Sequence, residues 1–350
     1  MLLLQGFKFF LFLILIKLII ILLLATGLGV SGQELVFEHS HSKDGGLSGV
    51  QSGELEWKNV SAEFGALPVT LQVYKTTDSL KGRPFLGYYV TVELKDKKLN
   101  FTTQSGEGKR YTPSQYYLRN DSPLVVVNGT FFSFTTNQNL NPLIKEGKLI
   151  AYNVPALKSK LSDSFYYPTR SAIGITRKRK ADVAWLFTDT ASNYAYAFQK
   201  DPLIAAGTKA DPGIKDLKTF DKWRWWKMET AIGGGPVLIQ NSKVRITNKE
   251  EQMFVNGEND RHPRTAMGYT KNGNLIILLI QGRFPGEAEG ATLREEAEIL
   301  LNLGCVEALN LDGGGSSSML INGRQTIRPS DKGLERPVPG IFMVKTARPN

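Results

Sequence analysis

The sequence predicts an α+β fold, a strand-rich single domain with pseudo-duplicated halves and a few helices. Three observations predict it. From about Trp57 onward, short alternating or apolar runs are broken by Gly, Pro, Asn and Asp, the texture of strands joined by turns. One segment, Leu293–Leu303, instead spaces its apolar residues as a helix does. Finally, two motif pairs recur at one offset. Arg170-Ser-Ala-Ile-Gly-Ile-Thr-Arg177 resembles Arg264-Thr-Ala-Met-Gly-Tyr-Thr-Lys271 (264 − 170 = 94), and Pro142-Leu-Ile resembles Pro236-Val-Leu-Ile (236 − 142 = 94). Two copies are too few for a solenoid, so the expectation is one body built of similar halves.

Strands are expected at Pro68–Lys75, Leu86–Leu94, Leu124–Asn128, Ala172–Thr176, Asp182–Phe187, Val237–Gln240, Leu275–Ile280 and Val306–Leu311. In the helix, Leu293, Ala297, Leu300 and Leu301 form the apolar stripe. Thr292 and Glu295 fit a capping box at its start, and Gly304 stops it. Tyr194–Phe198 is too short to assign.

Residues 1–32 read as a signal peptide or N-terminal anchor: Lys8, an apolar run Phe9–Leu24, then the small and flexible Ala25–Gly32. Lys17 inside that run is costly for a membrane span, which favours removal. Residues 33–55 read as a linker and 56–350 as the domain. An exported, periplasmic or extracellular address follows. Cys305 is the single cysteine, so no disulfide forms within one molecule and an ordinary core must hold the fold.

The formal charge is +10; removing Lys8 and Lys17 with residues 1–32 leaves +8. Arg177-Lys178-Arg179-Lys180 reads as a solvated hairpin tip. Nucleic acid is not an expected partner at an exported address, and membrane contact is expected only through an uncleaved N-terminal segment. A basic surface favours polyanions, such as a phosphate-bearing sugar or glycan.

The strongest chemical feature is Ala308-Leu-Asn310-Leu-Asp312-Gly-Gly-Gly315-Ser316. An apolar strand delivers Asp312 to its end, and Gly313, Gly314 and Gly315 let backbone approach a ligand. Free N–H groups and Ser316 would form an anion nest. A glycine-rich hairpin whose aspartate merely bonds its own turn has the same composition. Arg261-His262-Pro263-Arg264-Thr265 would grip a phosphate or brace neighbouring loops, and Arg170 is the repeat counterpart of Arg264. Gly233-Gly234-Gly235-Pro236 is a second backbone-approach loop, and Asn128-Gly129 ends a strand in a turn. Glu295 is either a capping residue or a further carboxylate for catalysis. The residues show no metal constellation, and no cofactor is expected.

Taken together, the ordered motifs resemble the phosphodiester glycosidase domain family over about 125–345. They are Asn128-Gly-Thr-Phe-Phe132, Arg170-Ser-Ala-Ile-Gly174, Gly233-Gly-Gly-Pro236, His262-Pro-Arg-Thr-Ala266, Gly290-Ala-Thr-Leu-Arg-Glu295, Asn310-Leu-Asp-Gly-Gly-Gly-Ser316, Pro329-Ser-Asp331 and Glu335-Arg336-Pro337. The sequence departs from the pattern at Gln281-Gly282-Arg283, where many relatives have Asp-Gly-Arg. The resemblance implies hydrolysis of the bond between the anomeric carbon of an N-acetylhexosamine-like sugar and a phosphate oxygen. In that scheme Asp312 is base or nucleophile; His262, Arg264 and the glycine-serine loop hold the phosphate. Asn128 and Gly233–Gly235 shape the sugar pocket; Glu295 completes the catalytic set, with Arg170, Thr265, Arg283, Asn310 and Arg336 around the substrate. A rival of another class is a non-catalytic binder of anionic envelope or capsule polysaccharide.

Overall fold

The computed structural model describes residues 55–158, 165–166, 168–200, 224–254 and 257–347. The signal and linker segments, apart from its last residue, lie outside these. Ser52–Asn350 forms one compact unit.

Every strand expected from the sequence is present within a few residues of its expected bounds, and the helix spans Leu293–Asn302. Thr292 and Glu295 make the reciprocal capping box. Tyr194–Phe198 is a strand, paired with Ala181–Asp189. A second helix, Pro113–Arg119, was not expected. It carries the same device: Thr112 caps it, Gln115 bonds back, and proline opens the first turn.

Three antiparallel sheets surround one interior. Five strands of the eight-stranded sheet, running to one edge, lie in the spatial order Asn274–Ile280, Arg264–Thr270, Cys305–Asn310, Val237–Gln240 and Lys243–Val244. In the seven-stranded sheet the order Ala181–Asp189, Ser171–Ile175, Thr230–Gly233, Leu143–Lys145, Lys148–Ala151 repeats the same connections. These are the two halves read from the 94-residue offset.

The five-stranded sheet is a third copy: Leu99–Ser105, Gly340–Thr346, Val125–Asn128, Met319–Ile321, Arg324–Gln325. Ladder positions coincide. Ala172 faces Gly233, Ala266 faces Asn310, and Ile341 faces Asn128. This copy is assembled from early and late segments of the chain, so it leaves no tandem repeat in the sequence.

Alternation along the strands builds the layers. One face of each sheet feeds the shared core, including Val90, Ile277, Met267, Leu309, Ile173, Trp185, Ile232, Val127 and Phe342. The other face of the eight-stranded sheet, through Ile276, Leu278 and Ala308, takes Leu293, Ala297 and Leu300 of the long helix. The outer face of the five-stranded sheet takes Tyr116 of the short helix. The seven-stranded sheet is covered by Trp226 and Met228, and a Cβ at Gly174 would lie 2.7 and 2.5 Å from their atoms. Trp226 is thus a packing residue. The equivalent strand ends Asn128, Gly233 and Asn310 meet at one end of the molecule, and that end holds the site.

Candidate active site

Asp312 lies two residues past the strand Cys305–Asn310. Its position is fixed from below: its N–H donates to Gly129 O at 2.8 Å, and Asn128 Nδ2 donates to its carbonyl. Asn128 Oδ1 in turn accepts from Thr265 Oγ1 at 2.9 Å and Ser318 N at 3.0 Å. Asn310 Nδ2 donates to Gly235 O at 2.9 Å, while its Oδ1 is buried without a protein partner. Asn128, Thr265 and Asn310 are therefore buried supports of the strand ends beneath Asp312 rather than lining of an open pocket.

The Asp312 carboxyl points into the loop that follows. Its Oδ2 is buried and unpartnered. Burial pushes the group up to about 7, against the pull of the Ser316 hydroxyl, the Arg336 charge and the Gly313 N–H. The anion nest expected of this loop is not formed, because its amides turn inward. Gly314 N donates to Pro263 O, Ser316 N to Gly313 O and Ser317 N to Gly314 O.

Positive charge comes instead from two arginines lying on the glycines. A Cβ at Gly315 would sit 2.2 Å from Arg336 Nη2, and one at Gly314, whose φ is +61°, would sit 3.0 Å from Arg283 Nη2. The glycines leave room for guanidinium groups. Arg336 Nε donates to Asp331 Oδ2 at 2.8 Å and Nη1 to Ser316 Oγ at 3.4 Å. Arg283 is exposed and reaches His262 Nδ1 at 3.4 Å. Burial and the charges of Arg264 and Arg283 hold His262 below the usual imidazole range, so it is neutral at pH 7.

Other expected site residues sit elsewhere. Arg264 is buried: Nε donates to Ala291 O at 2.9 Å and Nη2 to Asp260 O at 2.8 Å. Its positive charge faces Glu296 of the long helix, whose carboxyl burial pushes up to about 8. Glu295 is occupied by the capping box and by an ion pair with Arg261. Gly233, Gly234 and Gly235 approach the chain itself. Cβ atoms there would lie 2.3 Å from Pro142, 2.4 Å from Asn310 O and 2.4 Å from Glu251 Oε2. Arg170 is buried within the field of Glu251.

Glu251 was missed by sequence reasoning. It is fully buried and accepts from Ser171 N and Oγ, Trp185 Nε1, Val237 N and Thr247 Oγ1, at 2.7–3.1 Å. It ties the second glycine loop to two sheets. Gln281, the departure from the family pattern, is buried, and its Oε1 accepts from Arg328 N at 2.8 Å.

The sequence profile of the phosphodiester glycosidase family matches residues 121–345. The chain belongs to the phosphodiester glycosidase family. It is 44% identical over 148 residues to the Bos taurus N-acetylglucosamine-1-phosphodiester alpha-N-acetylglucosaminidase, covering 40% of this chain and 26% of that protein. The Mus musculus protein of the same name is 39% identical over 217 residues, 59% of this chain and 33% of that one. The SPbeta prophage-derived protein YomE of Bacillus subtilis is 25% identical over 275 residues, 76% of this chain and 37% of that one. The match thus spans well under half the length of each of these relatives. The fold is similar to that of the zebrafish N-acetylglucosamine-1-phosphodiester alpha-N-acetylglucosaminidase catalytic domain, auto-inhibited by its pro-peptide. The TM-score is 0.53 at 19% identity, over 83% of this chain and 88% of that one. Among the described residues no helix is long and apolar enough to cross a membrane.

Proposed function

We infer that this family member is an exported glycosidase that hydrolyses glycosyl-1-phosphodiesters of an N-acetylhexosamine-like sugar, releasing free sugar and a phosphomonoester. One observation carries the reading: a carboxyl held near neutrality, Asp312, beside a glycine loop flanked by Arg283 and Arg336. The leaving phosphate has a second pKa of about 6, so it departs with little protonation. The two guanidinium groups stabilise its growing charge and take over most of the work of a general acid. Neutral His262 donates a hydrogen bond from Nε2 while Nδ1 faces Arg283. Asp312, as the carboxylate, takes the proton of the attacking water or attacks the anomeric carbon itself. Arg264 is reassigned from phosphate ligand to positioning residue: it holds the His262–Thr265 segment against the 291 turn.

The test is incubation with a uridine-diphosphate-linked and a nitrophenyl-phosphate-linked N-acetylhexosamine, with products identified by NMR. Free sugar is expected. Its first-formed anomer separates the two Asp312 roles, retention for a nucleophile and inversion for a base. Sugar-1-phosphate would mean attack at phosphorus, and saturable binding without release would mean a polysaccharide binder; both overturn the reading.

A further inference from the structure

A groove of about 500 Å³ is lined by Ser105, Gly108, Asn137–Leu140, Lys145 and Tyr152–Pro155. Part of its wall is the third unit's counterpart of the segment that carries Arg283. Residues Ser105–Gly108 end the strand Leu99–Ser105, as Gln281–Arg283 follow Asn274–Ile280. At the place of Asp312, two residues beyond the strand, stands Thr130, whose hydroxyl bonds Asn139 Oδ1. Asn139, a lining residue of the groove, thus bonds the residue that takes the place of Asp312 in the third unit.

Its chemistry is that of a neutral saccharide site. Lys145, whose Nζ bonds Gln104 Oε1 at 2.8 Å, is balanced by Glu107 on the same rim. Asn137, Gln138, Asn139 and Asn153 supply amides, and Tyr152 offers a ring face for sugar C–H surfaces. Asn153 is 6% exposed, and its Oδ1 has no partner, although Nδ2 is spent on Arg170 O and Leu186 O. A buried acceptor left open in a polar groove is a place for a ligand hydroxyl. Asp312 and the groove are linked through neighbouring residues: Gly129 O accepts from Asp312 N, and Thr130 Oγ1 bonds Asn139 of the groove wall.

We propose that this groove is a saccharide subsite that binds an uncharged oligosaccharide part of the substrate while the Asp312 cleft takes the sugar phosphate. Its role in turnover rests on the glycosidase reading; its affinity for saccharide does not. The probe is the linear tetrasaccharide of N-acetylglucosamine, titrated calorimetrically against the full chain, Asp312→Asn, and a Gln138→Ala/Tyr152→Ala double variant. Those two side chains lie at the rim, and loss of their contacts should weaken binding roughly tenfold, while Asp312→Asn should bind as the unaltered protein does. No binding, or equal binding by the groove variant, overturns the proposal, as does loss of binding in Asp312→Asn. A kinetic arm uses two phosphodiesters, one with a nitrophenyl and one with a tetrasaccharide leaving group. The groove variant should raise KM about tenfold for the second alone, with kcat unchanged. A parallel rise on both substrates overturns the proposal. Saccharide binding that depends on Gln138 and Tyr152, in a protein that cleaves neither phosphodiester, supports the subsite and sinks only the glycosidase reading.

Discussion

Replacing Asp312 by Asn should make the protein more stable and inactive, and the gain should depend on pH in a defined direction. The folded protein holds this carboxyl at about 7, against an ordinary value of 3.8. Between those values the folded chain keeps a proton that the unfolded chain has released. Stability therefore falls as pH rises through the window, is least above pH 7, and is unaffected below about pH 4. A gap of about three pH units is worth about 4 kcal/mol. Asparagine stays neutral throughout and escapes that cost, in which the attraction to Arg336 is already counted. The gain at pH 8 is on the order of 4 kcal/mol, or roughly 8 °C in Tm for a chain of this size. Thermal scans at pH 8 and pH 4 read it directly: the variant should melt higher at pH 8, and the two proteins should coincide at pH 4. A variant melting below the unaltered protein at pH 8, or a difference equal at both pH values, would refute a desolvated carboxyl. The same group sets the rate: kcat/KM should rise tenfold per pH unit below about 7 and level off above it, and Asp312→Asn should release no sugar at any pH.

Three further outcomes follow from the site. Arg264→Ala should cost about 3 kcal/mol in urea unfolding, because the buried carbonyls of Asp260 and Ala291 lose their donor and the side chain leaves a cavity; a stable variant with a raised KM would restore Arg264 to phosphate binding. Arg283→Ala and Arg336→Ala should each raise KM for the phosphodiester about tenfold, with far-ultraviolet circular dichroism unchanged. Unaltered KM values in both would remove them from the site. Gly235→Ala should destabilise by about 3 kcal/mol or more, since φ is +123° and the new Cβ would meet Glu251 Oε2 at 2.4 Å. Denaturant midpoints give this number, and a midpoint matching the unaltered protein would contradict the described packing.

The strands and the long helix were legible because their signals are local: alternation, turn residues and a capping box. The repeat was legible only where its copies lie in tandem; the third copy, built from residues near 99–128 and 319–346, has no such order to detect. The short helix could have been found from Thr112-Pro-Ser-Gln115, which encodes the same box as Thr292-Leu-Arg-Glu295. At the site, the Asp312 loop was legible, but the choice among arginines was not. Arg264 stands beside His262 in sequence, yet tertiary contacts bury its guanidinium, while Arg283 and Arg336 reach the loop from separate segments. Gly233–Gly235 showed that backbone comes close to something, and only packing reveals that the something is the chain itself. Glu251 sits in Asn248-Lys-Glu-Glu-Gln252, a stretch that reads as solvated; four donors from Ser171, Trp185 and Val237, with the nearby Thr247 hydroxyl, surround it.

The strand Gly340–Thr346 lies in the middle of its sheet, not at the rim, between Leu99–Ser105 and Val125–Asn128. Asn128 therefore waits 340 − 128 = 212 residues of synthesis for the neighbour that seals its ladder. Until that late segment docks, the support beneath Asp312 has an open edge. The backbone beneath Asp312 is in this way completed only after a segment synthesised later than Asp312 itself has docked, and a chain clipped before Gly340 would expose that open edge.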